Sequence, residues 1–461
     1  MKNYLYRFRS IKRVHQELEK QTIFFASPEE LNDPMEGYKD IFWAGDKIVW
    51  RNLLKHYLMC LSAACLDFPV YGEEVIIKNL PTLEYQKLHD QICDVFFTDE
   101  DVNKYPEWLA QRKSPVRRNE LFVYLQSLHI YALECIFLKF AEHNLATAEN
   151  ALVFKSINRQ IKNAEFFNYL NKLEEKHHNV VDGTERFLAE VKHSFDQQIL
   201  THKYNSNSSN MQNRNWIVSD FPEEYLNKIE DLIHPKWYVA CFSSSYNNSS
   251  LWGHYGDGHK GVCLKFRDSI ALKCKIGISG SKDNVKTIYD NRPFQVYTID
   301  YQRKYPQIDF FKNLGVLPIS TSNKMWYTDG NRNISSCAGD IYKNEELWRK
   351  KYWEGFYAVI NKKSEDWQYE EEQRIILTSM GLFDYSAKEE RALEYNFAAL
   401  EGIIFGIKTP PDKRLEIIKI IEKKCRENSR TNFNFYQAYY CKTTGKIEAR
   451  DLQLQFNNYN S

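Results

Sequence analysis

Leu5-Tyr6-Arg7-Phe8 opens a segment that sets the fold class, because these aromatic and apolar residues are typical of a β-strand. A stretch with helical periodicity follows from Ser10 to Lys20, and Thr22-Ile23-Phe24-Phe25-Ala26 indicates a second strand. Ser27-Pro28-Glu29-Glu30-Leu31 then has the N-cap, the proline and the acidic first turn of a short helix, which Asn32-Asp33-Pro34 ends. This segment therefore predicts a strand, helix, strand, short-helix unit.

The sequence changes character after this unit. Residues 46–203 show long helical periods with few glycines, including Glu120 to His143 and Asn158 to Ile199. We predict that this block is an all-helical insertion. Residues 204–235 begin with a run rich in asparagine and serine that has little to bury, so we interpret them as a mobile linker and return segment.

Strand patterns return in the C-terminal half, at Trp237 to Phe242, Val262 to Phe266, Trp367 to Leu377 and Leu400 to Ile407, before a helix from Pro411 to Cys425. The chain is therefore predicted to be an α+β protein with a mixed or antiparallel β core and a large all-helical insertion. The predicted segments are an N-terminal part of the core (1–45), the helical insertion (46–203), the linker (204–235), the C-terminal part of the core (236–425) and a C-terminal extension (426–461).

The composition argues against several classes of protein. The chain has 62 Lys and Arg against 61 Asp and Glu, so no overall basic field attracts nucleic acid. Its ten cysteines are irregularly spaced without a Cys-x-x-Cys pair, which argues against a zinc module or a disulfide framework and favours a reducing cytoplasm. The charged N-terminus does not resemble a signal peptide, and polar residues interrupt Leu121 to Phe140 too often for a membrane span. We expect a cytoplasmic protein without a membrane partner.

Residues 249–266 combine glycine, aromatic and polar side chains at high density. Gly256-x-Gly258-x-x-Gly261 matches the dinucleotide-binding fingerprint, but that motif works between a strand and a helix. Here Asp257-Gly258 is a turn dipeptide and Val262 to Phe266 indicates a strand. We interpret the segment as a glycine-rich turn.

Three ring-bearing residues lie before or within this turn: Trp252, His254 and Tyr255. They are candidates to stack on a ligand or to form hydrogen bonds with it, and a packed aromatic cluster is the alternative interpretation. The spacing of His254 and His259 does not match a usual metal-binding pair, so no metal ligand is predicted here.

Two carboxylates share a predicted strand face near the C-terminal end of the core. If Trp367 to Leu377 is a strand, Glu370, Glu372 and Arg374 project to the same side. Such a pair suits general-base chemistry or the stabilisation of a developing cation, and the arginine can hold one carboxylate in place. The alternative is a solvated edge strand with a charged surface.

Arg7 and Ser243 are further candidates. Arg7 lies in an aromatic strand, where burial of a guanidinium is costly unless it binds a carboxylate or a phosphate, so it is a candidate anion clamp. The alternative is an exposed arginine. Ser243 to Ser245 end a predicted strand with three hydroxyls that suit contacts to a ribose, a phosphate or a carboxylate, although loop polarity also explains them.

An ordered set of motifs resembles an uncharacterised bacterial domain family that is often found near mobile elements and defence genes. The resemblance covers about residues 1–45 and 236–425. Its motifs here are Leu5-Tyr6-Arg7-Phe8, Phe25-Ala26-Ser27-Pro28, Leu31-Asn32-Asp33-Pro34-Met35-Glu36, Cys241-Phe242-Ser243, Leu251-Trp252-Gly253-His254-Tyr255 and Trp367-x-Tyr369-Glu370-x-Glu372-x-Arg374.

The same order of parts is similar to the ADP-ribosyltransferase superfamily, which implies a split β-sheet. It also implies that Arg7 binds the phosphates of NAD, that Ser243 to Ser245 support the nicotinamide ribose or the glutamate, and that Glu372 is catalytic with Glu370 assisting. The serine-to-glutamate separation is longer than usual, and the serine segment lacks the central threonine of that superfamily. The resemblance implies NAD as a substrate and no metal.

Three functional hypotheses follow. The first is an NAD-consuming toxin or antiviral effector that modifies an unknown protein or nucleic-acid acceptor. The second is a metal-dependent nuclease in which Glu36, Glu370 and Glu372 bind a divalent cation. The third is a sensor or scaffold whose helical insertion binds a partner or trigger protein. For the first, the predicted catalytic residues are Glu372 and Glu370, and the predicted cofactor-binding residues are Tyr6, Arg7, Asn32, Asp33, Glu36, Ser243, Trp252, His254, Tyr255 and Arg374.

Overall fold

The computed structural model of the 461-residue chain describes residues 4–80, 85–147, 172, 183–205, 216–279, 286–302, 304–379 and 383–456. Most of the predicted helix from residue 158 and of the asparagine-rich run after residue 205 lies outside these ranges.

The described residues contain both strands and helices throughout. The strands are β1 (Tyr4–Arg9), β2 (Thr22–Phe24), β3 (Asp40–Trp43), β4 (Val116–Arg117), β5 (Trp237–Ser243), β6 (Val262–Arg267), β7 (Ala271–Ser279), β8 (Lys286–Pro293), β9 (Val296–Thr298), β10 (Gln307–Asp309), β11 (Glu372–Thr378), β12 (Ala392–Glu394), β13 (Leu400–Phe405), β14 (Asn434–Cys441) and β15 (Lys446–Asp451). The α-helices are α1 (Ile11–Lys20), α2 (Lys47–Tyr71), α3 (Gln86–Phe96), α4 (Glu100–Ala110), α5 (Arg118–Glu142), α6 (Gly183–Asn205), α7 (Phe221–Ile229), α8 (Ser249–His254), α9 (Ile319–Ser322), α10 (Gly339–Lys343), α11 (Glu345–Ile360) and α12 (Pro411–Glu427). The α+β class is confirmed.

The chain divides into two compact units. The sheet unit comprises Met1–Tyr38, Pro235–Pro306 and Tyr357–Ser461, and the helical unit comprises Lys39–His234 and Gln307–Phe356. The helical unit is therefore built from two chain segments. Its second segment lies within the range that the sequence analysis assigned to the β core.

An eight-stranded sheet organises the described part of the sheet unit, in the order β15-β14-β13-β6-β1-β5-β11-β9. Neighbouring strands are antiparallel except β13 and β14, which are parallel, so the sheet is mixed as predicted. β1 pairs with β6 over its whole length, but among the described residues it pairs with β5 at one position, Tyr6 with Ser243. Ala26 instead bridges Val239 of β5. The sheet is therefore open between β1 and β5.

Helices cover the sheet on both faces. On one face, Val14 and Leu18 of α1 and Ile417 and Ile421 of α12 are buried in the main apolar cluster. The i, i+4 spacing of these residues gives each helix one apolar side. On the other face, Leu251 and Trp252 of α8 pack in a smaller cluster with Phe8, Cys263 and Ile404. This arrangement fixes β1, β5 and β11, which carry the site.

Long apolar helices form the core of the helical unit. α2 and α5 bury most of their residues, and β10-β3-β4 form a small three-stranded sheet beside them. Lys47–Glu74 and Arg118–Glu142 are long and apolar enough to cross a membrane by length and composition, and 61% of each apolar window is buried inside the protein. Length and composition alone are weak evidence for a span, because core helices share these properties.

Two sequence-based expectations need correction. The predicted strand from Trp367 begins at Glu372, because Glu365–Glu370 form a 3-10 helix and Glu371 takes a left-handed conformation with φ 44°. The segment 426–461, described as an extension, contains β14 and β15, which belong to the main sheet. The sequence analysis does not predict a strand at β14.

Candidate functional site

A cleft of about 520 Å³ lies in the sheet unit where the sheet opens between β1 and β5. Its wall includes Tyr6 and Arg7 on one side, and Ser243, Glu370 and Glu372 on the other. The predicted site residues on β1, β5 and β11 therefore reach one cavity. Further lining residues are Phe8, Arg9, Arg13, Glu17, Lys20, Glu30, Asn32, Cys241, Tyr255, Lys363 and Lys388.

Arg7 is a buried cation with spare hydrogen-bond donors. Only 3% of the residue is exposed, and its Nη2 donates to the carbonyl of Phe24 at 2.8 Å. Its Nε and Nη1 atoms are buried without a hydrogen-bond partner in the described structure. Burial, with Arg9 nearby, lowers the pKa of Arg7 to about 9. A guanidinium held this way favours an anion as its missing partner.

Lys363 lies at the centre of three carboxylates. Its Nζ donates to Glu370 Oε2 at 2.7 Å and to Glu372 Oε2 at 2.8 Å, and it lies 3.5 Å from Glu36 Oε1. The ammonium also lies 5.0 Å from the centre of the Trp367 ring. Glu36, Glu370, Glu372, Lys363 and Arg374 are called the charge cluster below.

Arg374 completes the charge cluster from β11. Its Nε donates to Glu372 Oε1 at 2.7 Å, its Nη2 donates to Glu36 Oε1 at 2.7 Å, and its Nη1 donates to the carbonyl of Ile360 at 2.6 Å. The guanidinium is fully buried. Arg374 and Glu36, both predicted to bind cofactor, therefore bind each other.

The two glutamates converge although Glu370 is not on the predicted strand. Ser364 caps the 3-10 helix, and its Oγ accepts from the amide of Asp366. The left-handed Glu371 then reverses the chain, and the Glu371 side chain accepts a hydrogen bond from Ser244 at 3.0 Å. Glu370 and Glu372 consequently approach Lys363 from a turn and a strand, not from one strand face.

Burial and charge set the ionisation of the charge cluster. Burial opposes ionisation of Glu372, but the Arg374 and Lys363 cations outweigh it and lower its pKa to about 2. Burial also opposes the charge of Lys363, but Glu372, Glu370 and Glu36 raise its pKa above the usual value. The pKa of Glu36 is raised mainly by burial. Glu372 is thus a carboxylate, and Lys363 an ammonium, at neutral pH.

A chain of hydrogen bonds connects the cleft mouth to Glu370. Asn32 Nδ2 donates to the Tyr255 hydroxyl at 3.0 Å, and that hydroxyl donates to Glu370 Oε1 at 2.6 Å. Burial and the adjacent Glu370 carboxylate raise the pKa of Tyr255. His254, which is exposed, shares a hydrogen bond of 3.0 Å between its Nδ1 and the Tyr369 hydroxyl. Of the rings of the predicted motif, Tyr255 therefore contacts Glu370 directly.

The other predicted residues have different environments. Tyr6 lines the cleft with its ring centre 5.2 Å from that of Tyr246. Ser243 lines it too, and its Oγ accepts from the amide of Ser245 at 3.1 Å. Asp33 accepts from the amides of Met35 and Ser364 and fixes local backbone. Trp252 is fully buried against Phe8, the packed arrangement that the sequence left open.

The glycines of the turn allow backbone segments to pack closely against each other. An added Cβ at Gly261 would lie 2.2 Å from the carbonyl oxygen of Arg9, and one at Gly256 would lie 2.8 Å from that of Trp252. Gly258 has φ 59°. β6 follows directly, so the interpretation as a turn before a strand is confirmed.

Lys363 and Cys241 were missed by the sequence analysis. Cys241 lines the cleft, and its thiol lies near the Glu372 carboxylate. Burial and the Glu372 charge raise the pKa of that thiol. Lys363 follows an apolar helix end as one of two adjacent lysines, and only its three-dimensional partners distinguish it from Lys362. Lys362 binds Asp300 at 2.9 Å instead.

The charge cluster does not fit a divalent cation as it stands. Three carboxylates meet, as a metal site requires. The Lys363 ammonium, however, occupies the position between their oxygens. Among the described residues, no group of three or more His, Cys, Asp or Glu side chains has the geometry to hold a metal ion.

Part of the chain matches a known protein-family model. Residues 251–375 match a family model described as protein of unknown function (DUF2971). The matched range runs from α8 to β11 and includes His254, Lys363, Glu372 and Arg374, whereas Arg7 and Glu36 precede it. No curated protein and no solved structure matches the chain. The expected uncharacterised domain is thereby confirmed over these residues.

Proposed function

We propose that this protein is an NAD-consuming enzyme of the ADP-ribosyltransferase type, either a transferase or an NAD glycohydrolase, that acts as a toxin or antiviral effector in the cytoplasm. The observation that carries the proposal is that Arg7, with two unpartnered donors, lines the same cleft as Glu370 and Glu372. The cleft thus combines a guanidinium, which favours an anion, with carboxylates.

The cleft volume supports a small-molecule substrate. Cavities of about 300–1,000 Å³ typically take ligands of drug or cofactor size. NAD carries phosphates that suit the Arg7 guanidinium. Its nicotinamide riboside end, which is cationic, suits Glu370 and Glu372. An extended ligand with these two ends matches the charge pattern of the cleft.

The chemistry proposed is cleavage of the bond between the ribose anomeric carbon and the nicotinamide nitrogen. The bonding electron pair leaves with nicotinamide, and positive charge develops on the ribose ring. Water or a nucleophilic acceptor then supplies the electron pair for the new bond and loses its proton. An ionised carboxylate beside the ribose stabilises that charge in the transition state and forms hydrogen bonds with ribose hydroxyls.

The roles of the surrounding residues follow from their positions. Glu372 is held ionised by Arg374 and Lys363 and supplies the negative field. Glu370 is oriented by Tyr255, which is itself held by Asn32. Tyr6 and Ser243 line the same cleft and are proposed to contact the ribose.

A metal-dependent nuclease is the second candidate, because Glu36, Glu370 and Glu372 do come together. That function requires Lys363 to leave the space between the carboxylates. A scaffold function is the third candidate, in which the helical unit binds a partner protein. The convergence of the predicted site residues in one cleft does not support this third candidate.

The deciding experiment follows nicotinamide release from NAD by purified protein, with EDTA and with added Mg²⁺. Glu372→Gln is compared with Glu371→Gln, because the Glu371 side chain is exposed and binds Ser244 instead of the charge cluster. We expect turnover in EDTA that falls at least 100-fold in Glu372→Gln and less than threefold in Glu371→Gln.

A circular-dichroism melt of each variant separates lost activity from lost fold. Glu370→Gln serves as a second test, because it removes one ion pair of Lys363 while Glu372 stays paired. Absence of NAD turnover in folded wild-type protein, together with Mg²⁺-dependent cleavage of DNA or RNA, would support the nuclease candidate instead.

A further inference from the structure

Lys363 has the surroundings of a bound cation. Its Nζ has oxygens of Glu370 and Glu372 at 2.7 and 2.8 Å, with Glu36 at 3.5 Å, and its side chain is 5% exposed. Carboxylate oxygens are the type of ligand that a hard divalent cation prefers. Here that positive centre belongs to the protein chain.

The backbone of Lys363 and its neighbouring side chains hold the ammonium in position. The Lys363 amide donates to the carbonyl of Asp300 at 3.2 Å, and the adjacent Lys362 Nζ donates to the Asp300 carboxylate at 2.9 Å. Trp367 lies against the ammonium. The ammonium is therefore directed at the carboxylates by backbone pairing, a neighbouring ion pair and an aromatic ring.

The charges of the cluster show why a cation is needed at this position. Arg374 alone neutralises one of the three carboxylates, and all three residues are at least nine-tenths buried. Two cations face three carboxylates in the cluster, and Glu36 Oε2 is buried without a hydrogen-bond partner in the described structure. Without Lys363, Arg374 alone would face the three carboxylates, and one more buried charge would lack a counter-ion, which is strongly unfavourable.

We infer that Lys363 is a built-in counter-ion that takes the place of a metal ion at the Glu36, Glu370 and Glu372 carboxylates and fixes Glu370 and Glu372 toward the cleft. Its role as a positioning residue for NAD cleavage rests on the proposed function. Its role as a cation substitute does not, because it concerns the unliganded protein.

The inference is tested by removing the ammonium and supplying a free cation. Lys363→Ala leaves a cavity shaped for the missing amine, with the carboxylates unbalanced. We expect its melting temperature to fall by about 5 °C or more. We expect n-propylammonium or Ca²⁺, added at tens of millimolar, to recover at least half of that fall, while neither raises the melting temperature of the wild type.

Lys362→Ala is the matched control. Lys362 is also buried and ion-paired, but its partner Asp300 is half-exposed and lies outside the charge cluster. This variant is expected to lose stability without recovery by either cation. NAD is absent from these measurements, so a failed NAD assay leaves their result intact.

Three results would overturn the inference. Lys363→Ala could melt like the wild type, the two cations could leave its melting temperature unchanged, or Ca²⁺ could raise that of the wild type equally. If Lys363→Ala does not fold, Lys363→Ala with Glu36→Gln decides the question, because this pair of changes restores the native net charge. Recovery of folded protein supports the counter-ion role, and continued failure to fold overturns it.

Discussion

Arg374 binds Glu36 across 338 residues of sequence, and the same guanidinium holds Glu372. One fully buried side chain on β11 therefore joins the segment after the short 3-10 helix Pro28–Glu30 to the carboxylate proposed for catalysis. Stability and the proposed activity consequently share one residue.

Arg374→Leu is expected to be among the most damaging substitutions in the sheet unit. It leaves Glu36 and Glu372 buried without their main partner, which typically costs about 3–5 kcal/mol of the free energy of unfolding. Urea titration followed by tryptophan fluorescence measures the loss. The control is Lys273→Ala, because the Lys273–Glu394 pair is about half exposed and should contribute less than about 1 kcal/mol. Equal losses in the two variants would contradict the central role of Arg374.

Arg7→Met is expected to separate binding from stability. Methionine removes a buried charge that lacks a full set of partners, so the free energy of unfolding should stay the same or rise by about 1 kcal/mol. Affinity for NAD or ADP-ribose should fall at least tenfold, because the anion loses its guanidinium. Isothermal titration calorimetry and thermal melts measure the two quantities. A marked loss of stability with unchanged affinity would instead make Arg7 a purely structural residue.

Acid is expected to weaken the helical unit first through two buried histidines. The Tyr57 hydroxyl donates to Nδ1 of His129, whose Nε2 donates to the carbonyl of Ile217, and burial lowers the pKa of His129 to about 4. Burial likewise lowers the pKa of His56 to about 4. Because these values lie below the usual 6.5, the unfolded chain binds more protons at intermediate pH. The stabilising contribution of these two neutral histidines is complete above pH 6.5 and is lost as pH falls toward 4.

Hydrogen exchange at pH 7.5 and pH 5 measures this effect. Each histidine contributes at most about 3 kcal/mol over the window. His129→Gln should flatten the pH dependence in α2 and α5, whereas substitution of the exposed His143 by Gln should leave it unchanged. Equal pH dependence in the two variants would show that other groups control acid stability.

Substitution by alanine at two glycines near the turn is expected to have different effects on stability. Gly261→Ala forces a Cβ to within 2.2 Å of the Arg9 carbonyl oxygen and should cost more than about 2 kcal/mol. Gly253→Ala meets no atom within 4 Å and lies inside α8, so it should be neutral or stabilising by about 0.5–1 kcal/mol. Thermal melts compare them. An unchanged melting temperature for Gly261→Ala would contradict the close packing of β1 on the turn.

Local sequence patterns predicted the α+β class and several of its elements. β1, α1, β5, β6, β13 and α12 all lie where apolar periodicity and capping residues indicated them. The failure at Trp367 to Glu371 has a specific cause. A charged run with three successive glutamates has the alternation of a strand, and nothing in its composition shows that Glu371 adopts a positive φ.

The candidate site was predicted in part. Arg7, Glu370 and Glu372 were identified from residue type and order, because unusual charges in apolar surroundings are visible in a sequence. Lys363 and the Arg374–Glu36 pair were missed, because an ion pair between distant segments depends on the tertiary fold and leaves no local pattern.

The interleaving of the two units has a consequence for synthesis. The sheet unit is assembled from three chain segments, and Glu36 can meet Arg374 only after the intervening chain, a sequence separation of 338, has been translated. Contacts of such long separation form slowly, because the intervening chain must be closed into a loop. A nascent chain that does not yet include Arg374 therefore has no complete charge cluster.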